Sequence, residues 1–118
     1  MSVQRTRYYC PVELAMDTLG GKWAVVVLAN LKQGPLRYGE LRASMPDITE
    51  KVLTQRLREL EAAGLVERTV LSETPIAVSY RLADDDVAPV LQALYDWGSR
   101  IARRDGVEIR PAGTGDFR

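Results

Sequence analysis

Apolar positions recur at helical spacing through the first half of this chain. Val12, Ala15, Met16 and Leu19 fall at i, i+3, i+4 and i+7. Pro11 fits the first turn of that helix, where its missing N–H costs nothing, and Gly20-Gly21 ends it. A second helix is predicted over about 22–32. Its apolar face (Trp23, Val26, Val27, Leu28, Leu31) is nearly continuous, which predicts a buried central helix, and Gln33-Gly34-Pro35 stops it. Leu36-Arg37-Tyr38 reads as a short extended link. A brief helix follows over about 38–45 with Leu41 and Met45 inward, broken by Pro46-Asp47. Thr49 is the expected N-cap of a longer helix, and Glu50 suits its positive end. That helix runs to Ala63 and is closed by Gly64, with Leu53, Leu57 and Leu60 as its apolar stripe.

Beyond Gly64 the composition turns to β-formers. Residues 65–71 and 77–82 predict two strands joined by a five-residue loop, Ser72 to Ile76. Asp84, Asp85 and Asp86 then open a last helix running to about Arg104, along which lie Val87, Val90, Leu91, Leu94, Trp97, Gly98 and Ile101. The chain shows no repeat and no linker. Residues 1–105 are expected to form a single domain, and 106–118, with Pro111-Ala112-Gly113-Thr114-Gly115-Asp116, a frayed tail.

The predicted fold is mainly α with a small β-hairpin wing. Three helices followed by a two-stranded hairpin is the plan of a winged helix-turn-helix, in which the second helix of the motif enters the major groove. With Leu53, Leu57 and Leu60 turned inward, the outward residues of that helix include Lys51, Thr54, Gln55 and Arg58. Arg or Lys can donate to guanine O6 and N7. Gln can bond adenine in both directions, and Thr can touch a thymine methyl. The plainer alternative is an ordinary solvated helix face. Lys22, Arg37, Tyr38, Arg42 and Thr49 lie at or near helix starts, where phosphate is also attracted, and are the candidate DNA-backbone contacts.

Composition narrows the remaining choices. In 118 residues there is no histidine, which removes the commonest general base and the commonest metal ligand. No phosphate-cradling glycine loop is present, so no enzyme and no cofactor is expected. No apolar run reaches the roughly 20 residues of a membrane span. Residues 2–7 lack a secretory apolar stretch, so a cytoplasmic location and no membrane partner are expected. Formal net charge is zero, but it is unevenly placed. Residues 1–58 carry nine basic and five acidic side chains, and residues 59–118 seven basic and eleven acidic, giving +4 and −4. One half can therefore face phosphates.

Several runs together resemble one family: Cys10-Pro11-Val12, Gly20-Gly21-Lys22-Trp23, Arg37-Tyr38-Gly39-Glu40-Leu41, Lys51 to Leu60, Gly64-Leu65-Val66-Glu67-Arg68 and Trp97-Gly98. In this order, over roughly residues 8–98, they look like an HxlR-type winged helix-turn-helix regulator. The resemblance implies a homodimer formed through the first and last helices. It also implies a near-palindromic double-stranded operator, with Thr54, Gln55 and Arg58 on the base-reading face, and repression is the expected mode. Two departures stand out. Pro75-Ile76-Ala77-Val78 replaces a basic wing residue, and Ala83-Asp84-Asp85-Asp86 replaces the usual Thr-x-x-Gly entry to the last helix. The competing reading is a winged helix used for protein–protein contact without DNA.

In family members that respond to oxidants, a cysteine at the position of Cys10 does the sensing. Cys10 is the sole thiol here, and a helix N-terminus with Arg5 and Arg7 nearby favours a thiolate. Oxidation could give a sulfenic acid, a mixed disulfide or a Cys10–Cys10 bridge across a dimer; the alternative is a small buried apolar residue. A small-molecule effector is a further candidate, with Tyr8, Tyr9, Trp23, Tyr95 and Trp97 lining a pocket or, alternatively, filling core and interface.

Overall fold

The computed structural model describes residues 6–110, so Arg5 and the expected tail segment 111–116 lie outside the described residues. Among the described residues five helices and three strands follow in the order α1 (Pro11–Leu19), α2 (Lys22–Asn30), β1 (Leu36–Arg37), α3 (Tyr38–Ser44), α4 (Glu50–Ala62), β2 (Val66–Glu73), β3 (Ile76–Leu82) and α5 (Val87–Asp105). The signals that delimit these helices act as the sequence indicates. Gly20, at φ 89°, takes the left-handed cap of α1 and donates its N–H to the Met16 carbonyl. Thr49 stays extended, and its Oγ1 accepts the Val52 N–H at 3.1 Å. At the other end of α4, Gly64 has φ 80°. Leu65 N–H reaches the Leu60 carbonyl and Gly64 N–H the Glu61 carbonyl. This pair of bonds is a Schellman motif, and it fixes the direction in which the chain leaves α4.

The core gathers α2, α3, α4, the root of the sheet and the start of α5. Val27, Leu28, Leu41 and Leu53 are fully buried, with Leu31, Leu57, Leu60 and Leu91 nearly so. Within α2 the buried residues are Ala24, Val27 and Leu28, while Trp23 and Val26 are only half-buried. The expected continuous face is thus narrower and rotated. Bulky Trp23 sits where the first turn meets solvent, and small Ala24 admits a neighbouring element.

Two expectations about the sheet are corrected. The link at Leu36-Arg37 is a true edge strand, since Leu36 and Arg37 pair with Tyr80 and Ser79. The sheet is therefore three-stranded and antiparallel, in the order β1-β3-β2. The five-residue loop shrinks to Thr74-Pro75, because Ser72↔Ala77 and Glu73↔Ile76 continue the ladder past an irregularity between Val70 and Ser72. An extra residue in one strand shifts the pairing and carries the strands further toward the tip. A helix bundle with a hairpin projecting beyond it is a winged helix-turn-helix. Among the described residues no helix is long and apolar enough to cross a membrane.

The apolar positions of α1 and α5 are where packing departs most from the hydrophobic pattern. Only Leu19 of α1 is buried, and only Val87 and Leu91 of α5. Val12, Met16, Val90, Leu94 and Trp97 remain exposed.

Truncating a fully buried side chain of α4 removes its contacts and leaves a cavity. Leu53→Ala is expected to cost about 2–5 kcal/mol, read as a lower urea midpoint at unchanged slope. A loss below about 1 kcal/mol would contradict the packing described.

Candidate nucleic-acid interface

Helix α4 lies across the core with Leu53, Leu57 and Leu60 down, so the residues between them must face out. Lys51, Gln55 and Arg58 are exposed and Thr54 is half-buried; all four border one shallow open groove along the helix. Glu50 and Glu59 flank it. Glu59 is largely occupied, accepting from Arg56 Nη1 at 3.2 Å and from Gln55 Nε2 at 3.4 Å.

Charge pairing separates the cations of this region. Arg42 approaches Glu50 at 4.0 Å, Arg56 pairs with Glu59, and Arg81 with Glu67. Among the described residues Lys51, Arg58 and Arg68 make no ion pair. A cation without a carboxylate keeps its charge available to an incoming anion and pays no cost of breaking a pair.

The candidate backbone residues occupy different situations. Tyr38 opens α3, is half-buried against the core, and its hydroxyl lies 3.2 Å from Thr54 Oγ1. Helix α3 and the outward side of α4 thus meet at one hydrogen bond. Arg37 is exposed, and its backbone N–H is bonded to Glu40 Oε1 at 2.7 Å. Arg42 turns toward the connection between α3 and α4. Its Nη1 donates to the Ile48 carbonyl at 3.2 Å, and its Nε is buried without a partner. Thr49 is exposed at the N-cap of α4, beside Glu50. Lys22 opens α2 with its ammonium 5.0 Å from the centre of the Trp23 ring.

Two residues border the α4 surface that the sequence reading does not pick out. Arg68 and Tyr80 are cross-strand partners of β2 and β3, and with Thr54, Leu57, Arg58 and Glu61 they line a second groove between α4 and the sheet. Strand parity is the signal that could have found Arg68. Val66 points into the core, and alternate residues share a face.

Cys10 is exposed at the N-cap of α1 and makes no capping hydrogen bond with its side chain. The aromatic candidates are spread over several contacts. The Tyr8 hydroxyl donates to Asp17 at 3.0 Å, Lys32 lies 4.5 Å from the Tyr95 ring centre, and Tyr95 borders an apolar groove with Leu94, Val107 and Ile109. Among the described residues no cluster of three or more His, Cys, Asp or Glu could hold a metal ion.

Comparison with known proteins places this surface in context. A model of the HxlR-like helix-turn-helix matches residues 18–105. An HTH-type transcriptional regulator of Methanothermobacter thermautotrophicus is 46% identical over 93 residues, which is 77% of this chain and 71% of that protein. The HTH-type transcriptional regulator YkvN of Bacillus subtilis is 39% identical over 104 residues, covering 86% of this chain and 88% of its own. Among solved structures, the redox regulator HypR in its oxidized form has a TM-score of 0.72 at 38% identity, over 77% of this chain and 96% of that one. The two sequence relatives are transcriptional regulators rather than enzymes.

Proposed function

The chain belongs to the HxlR-like helix-turn-helix family and is a transcriptional regulator of helix-turn-helix type, and from that premise we propose that it binds double-stranded DNA sequence-specifically as a homodimer. The observation that carries the DNA reading is the outward side of α4. Lys51, Thr54, Gln55 and Arg58 stand together on one open groove, and both cations are unpaired. An α-helix fits the major groove, and these side chains match the donors and acceptors of base edges there. Thr54 is held at a fixed depth by Tyr38, which suits a contact made by its methyl group. Lys22, Arg37, Tyr38, Arg42 and Thr49 are assigned to the phosphate backbone on either side. Residues 1–105 act as one domain, and the mode is repression, since a dimer seated on a promoter denies that groove to other proteins.

The homodimer is supported by the surplus apolar surface of α1 and α5. Val90, Leu94, Trp97 and Ile101 form a stripe at i, i+4, i+7 and i+11, and Val12 and Met16 add a second one. Contiguous exposed apolar surface of this kind marks an association site. A two-fold arrangement would present two α4 helices about 34 Å apart, one turn of DNA. Cys10 is exposed at the start of α1, and the neighbour HypR is a redox regulator. On this basis Cys10 is the oxidant-responsive residue: two thiols on paired protomers lose two protons and two electrons to the oxidant and form one disulfide.

Arg58→Ala is expected to cost roughly 1–3 kcal/mol of binding to the duplex upstream of the protein's own coding sequence. It should cost much less on random duplex, and footprinting with a titrated gel shift measures both. Equal losses on the two would remove Arg58 from base reading, and no binding by the unaltered protein would favour the protein-contact alternative. Leu94→Glu places a charge in the α5 stripe and is expected to convert a dimer to monomers in sedimentation velocity. A monomeric unaltered protein refutes the dimer. Diamide is expected to change binding of the unaltered protein to the upstream duplex but leave Cys10→Ser indifferent. An identical response in both ends the redox assignment.

A further inference from the structure

Resting on the DNA reading above, we infer that the phosphate contact of the wing lies at its root, where Arg68 clamps one backbone phosphate in the groove between α4 and the sheet, beside the base-reading Arg58. This groove encloses about 390 Å³ and is bordered by Thr54, Leu57, Arg58, Glu61, Arg68 and Tyr80. Thr54 and Arg58 also border the outward face of α4, so the two grooves are continuous. Leu57 and Tyr80 are almost wholly buried at the base of the groove beside the sheet, so its open surface is mostly polar. Neither arginine has an ion pair among the described residues. A guanidinium offers a planar fork of donors matched to phosphate oxygens.

The rest of the wing offers no unpaired cation for this contact. Beyond Arg68 the hairpin holds Val70, Leu71, Glu73, Pro75 and Ile76, with no cation before Arg81. Arg81 pairs with Glu67 across the strands. Alternation along β2 puts Glu67 and Arg68 on opposite faces of the sheet, so Arg81 is turned from the groove and Arg68 toward it. Glu61 is the one carboxylate in the groove and leaves it with a single net positive charge. Its side chain should weaken phosphate binding without abolishing it.

Fluorescence anisotropy with the upstream duplex and with a random duplex of equal length, over a potassium chloride series, tests the assignment. Arg68→Gln is expected to weaken binding to both duplexes by the same factor and to reduce the slope of log K against log salt by about one. Arg68→Lys should keep the slope. Arg81→Gln removes the same formal charge from the opposite face and should leave the slope unchanged. An unchanged slope in Arg68→Gln, or an equal change in Arg81→Gln, overturns the clamp while leaving the α4 assignment standing. Failure of the unaltered protein to bind either duplex overturns both. Should Arg68→Gln melt the hairpin, Glu61→Gln decides: tighter binding to both duplexes is expected, and unchanged affinity refutes the clamp.

Discussion

Helix α4 is pinned by three leucines, and the rest of the surface chemistry follows from that packing. Leu53, Leu57 and Leu60 are buried against α2 and the sheet, each contributing on the order of 1.5–3 kcal/mol by leaving water. Because they recur at helical spacing, they fix the rotation of α4 about its own axis. Once that rotation is set, Lys51, Thr54, Gln55 and Arg58 have no choice of direction. A rotation by one residue, about 100°, would bring a charged side chain into the core and expose a leucine, and neither is tolerable energetically. The ends of α4 are held as well. Thr49 satisfies one of the orphan donors of the first turn, the Val52 N–H, and the Gly64 turn sends the chain straight into β2. The span from the outward side of α4 to the wing root is thus short, and Arg58 and Arg68 share a groove.

Arg42 shows how the same residue type can serve the surface indirectly. Its guanidinium bonds the Ile48 carbonyl and approaches Glu50, so it braces the turn through which α4 is entered. A phosphate contact from this residue would use the nitrogens that remain. Tyr38 is comparable: its ring packs against the core and its hydroxyl meets Thr54. Both residues link the precision of the outward face to the packing of α3, the element that precedes it in the motif.

Much of this arrangement was legible in the amino-acid sequence because it rests on local physics. The period of the leucines, the Thr49 cap and the Gly20 and Gly64 turns all act within a few residues of themselves. The pairing of Leu36-Arg37 with β3 was not legible, since an edge strand of two residues leaves no periodic trace. The tight wing tip was missed because Ser72 and Ile76 have no turn-excluding chemistry; the irregularity at Leu71 decides how far the ladder runs. The exposure of Val12, Met16, Leu94 and Trp97 was hidden for a different reason. Hydrophobic spacing tells that a face will be covered, not whether the cover comes from the same chain. Arg68 escaped because a lone cation in a strand gains meaning only beside the helix it faces.

A formally neutral chain can still present a cationic surface, and the pairing pattern explains how. Acidic side chains around α4 are spent on particular cations, Glu50 on Arg42 and Glu59 on Arg56, while Glu67 pairs with Arg81 on the sheet face turned from the groove. Exposed pairs of this kind contribute at most about 1 kcal/mol each to stability. Their larger consequence is for the field, because each one cancels a negative charge locally and leaves Lys51, Arg58 and Arg68 without an ion pair among the described residues, offset at the wing root only by Glu61. Screening limits the reach of distant acids to about a Debye length of 8–10 Å at physiological salt. The aspartates before α5 and the acidic residues along it therefore count in the total without cancelling the cations at α4 to the same degree. Net charge is the wrong quantity for judging whether such a protein can approach a polyanion; what matters is which cations lack a neighbour.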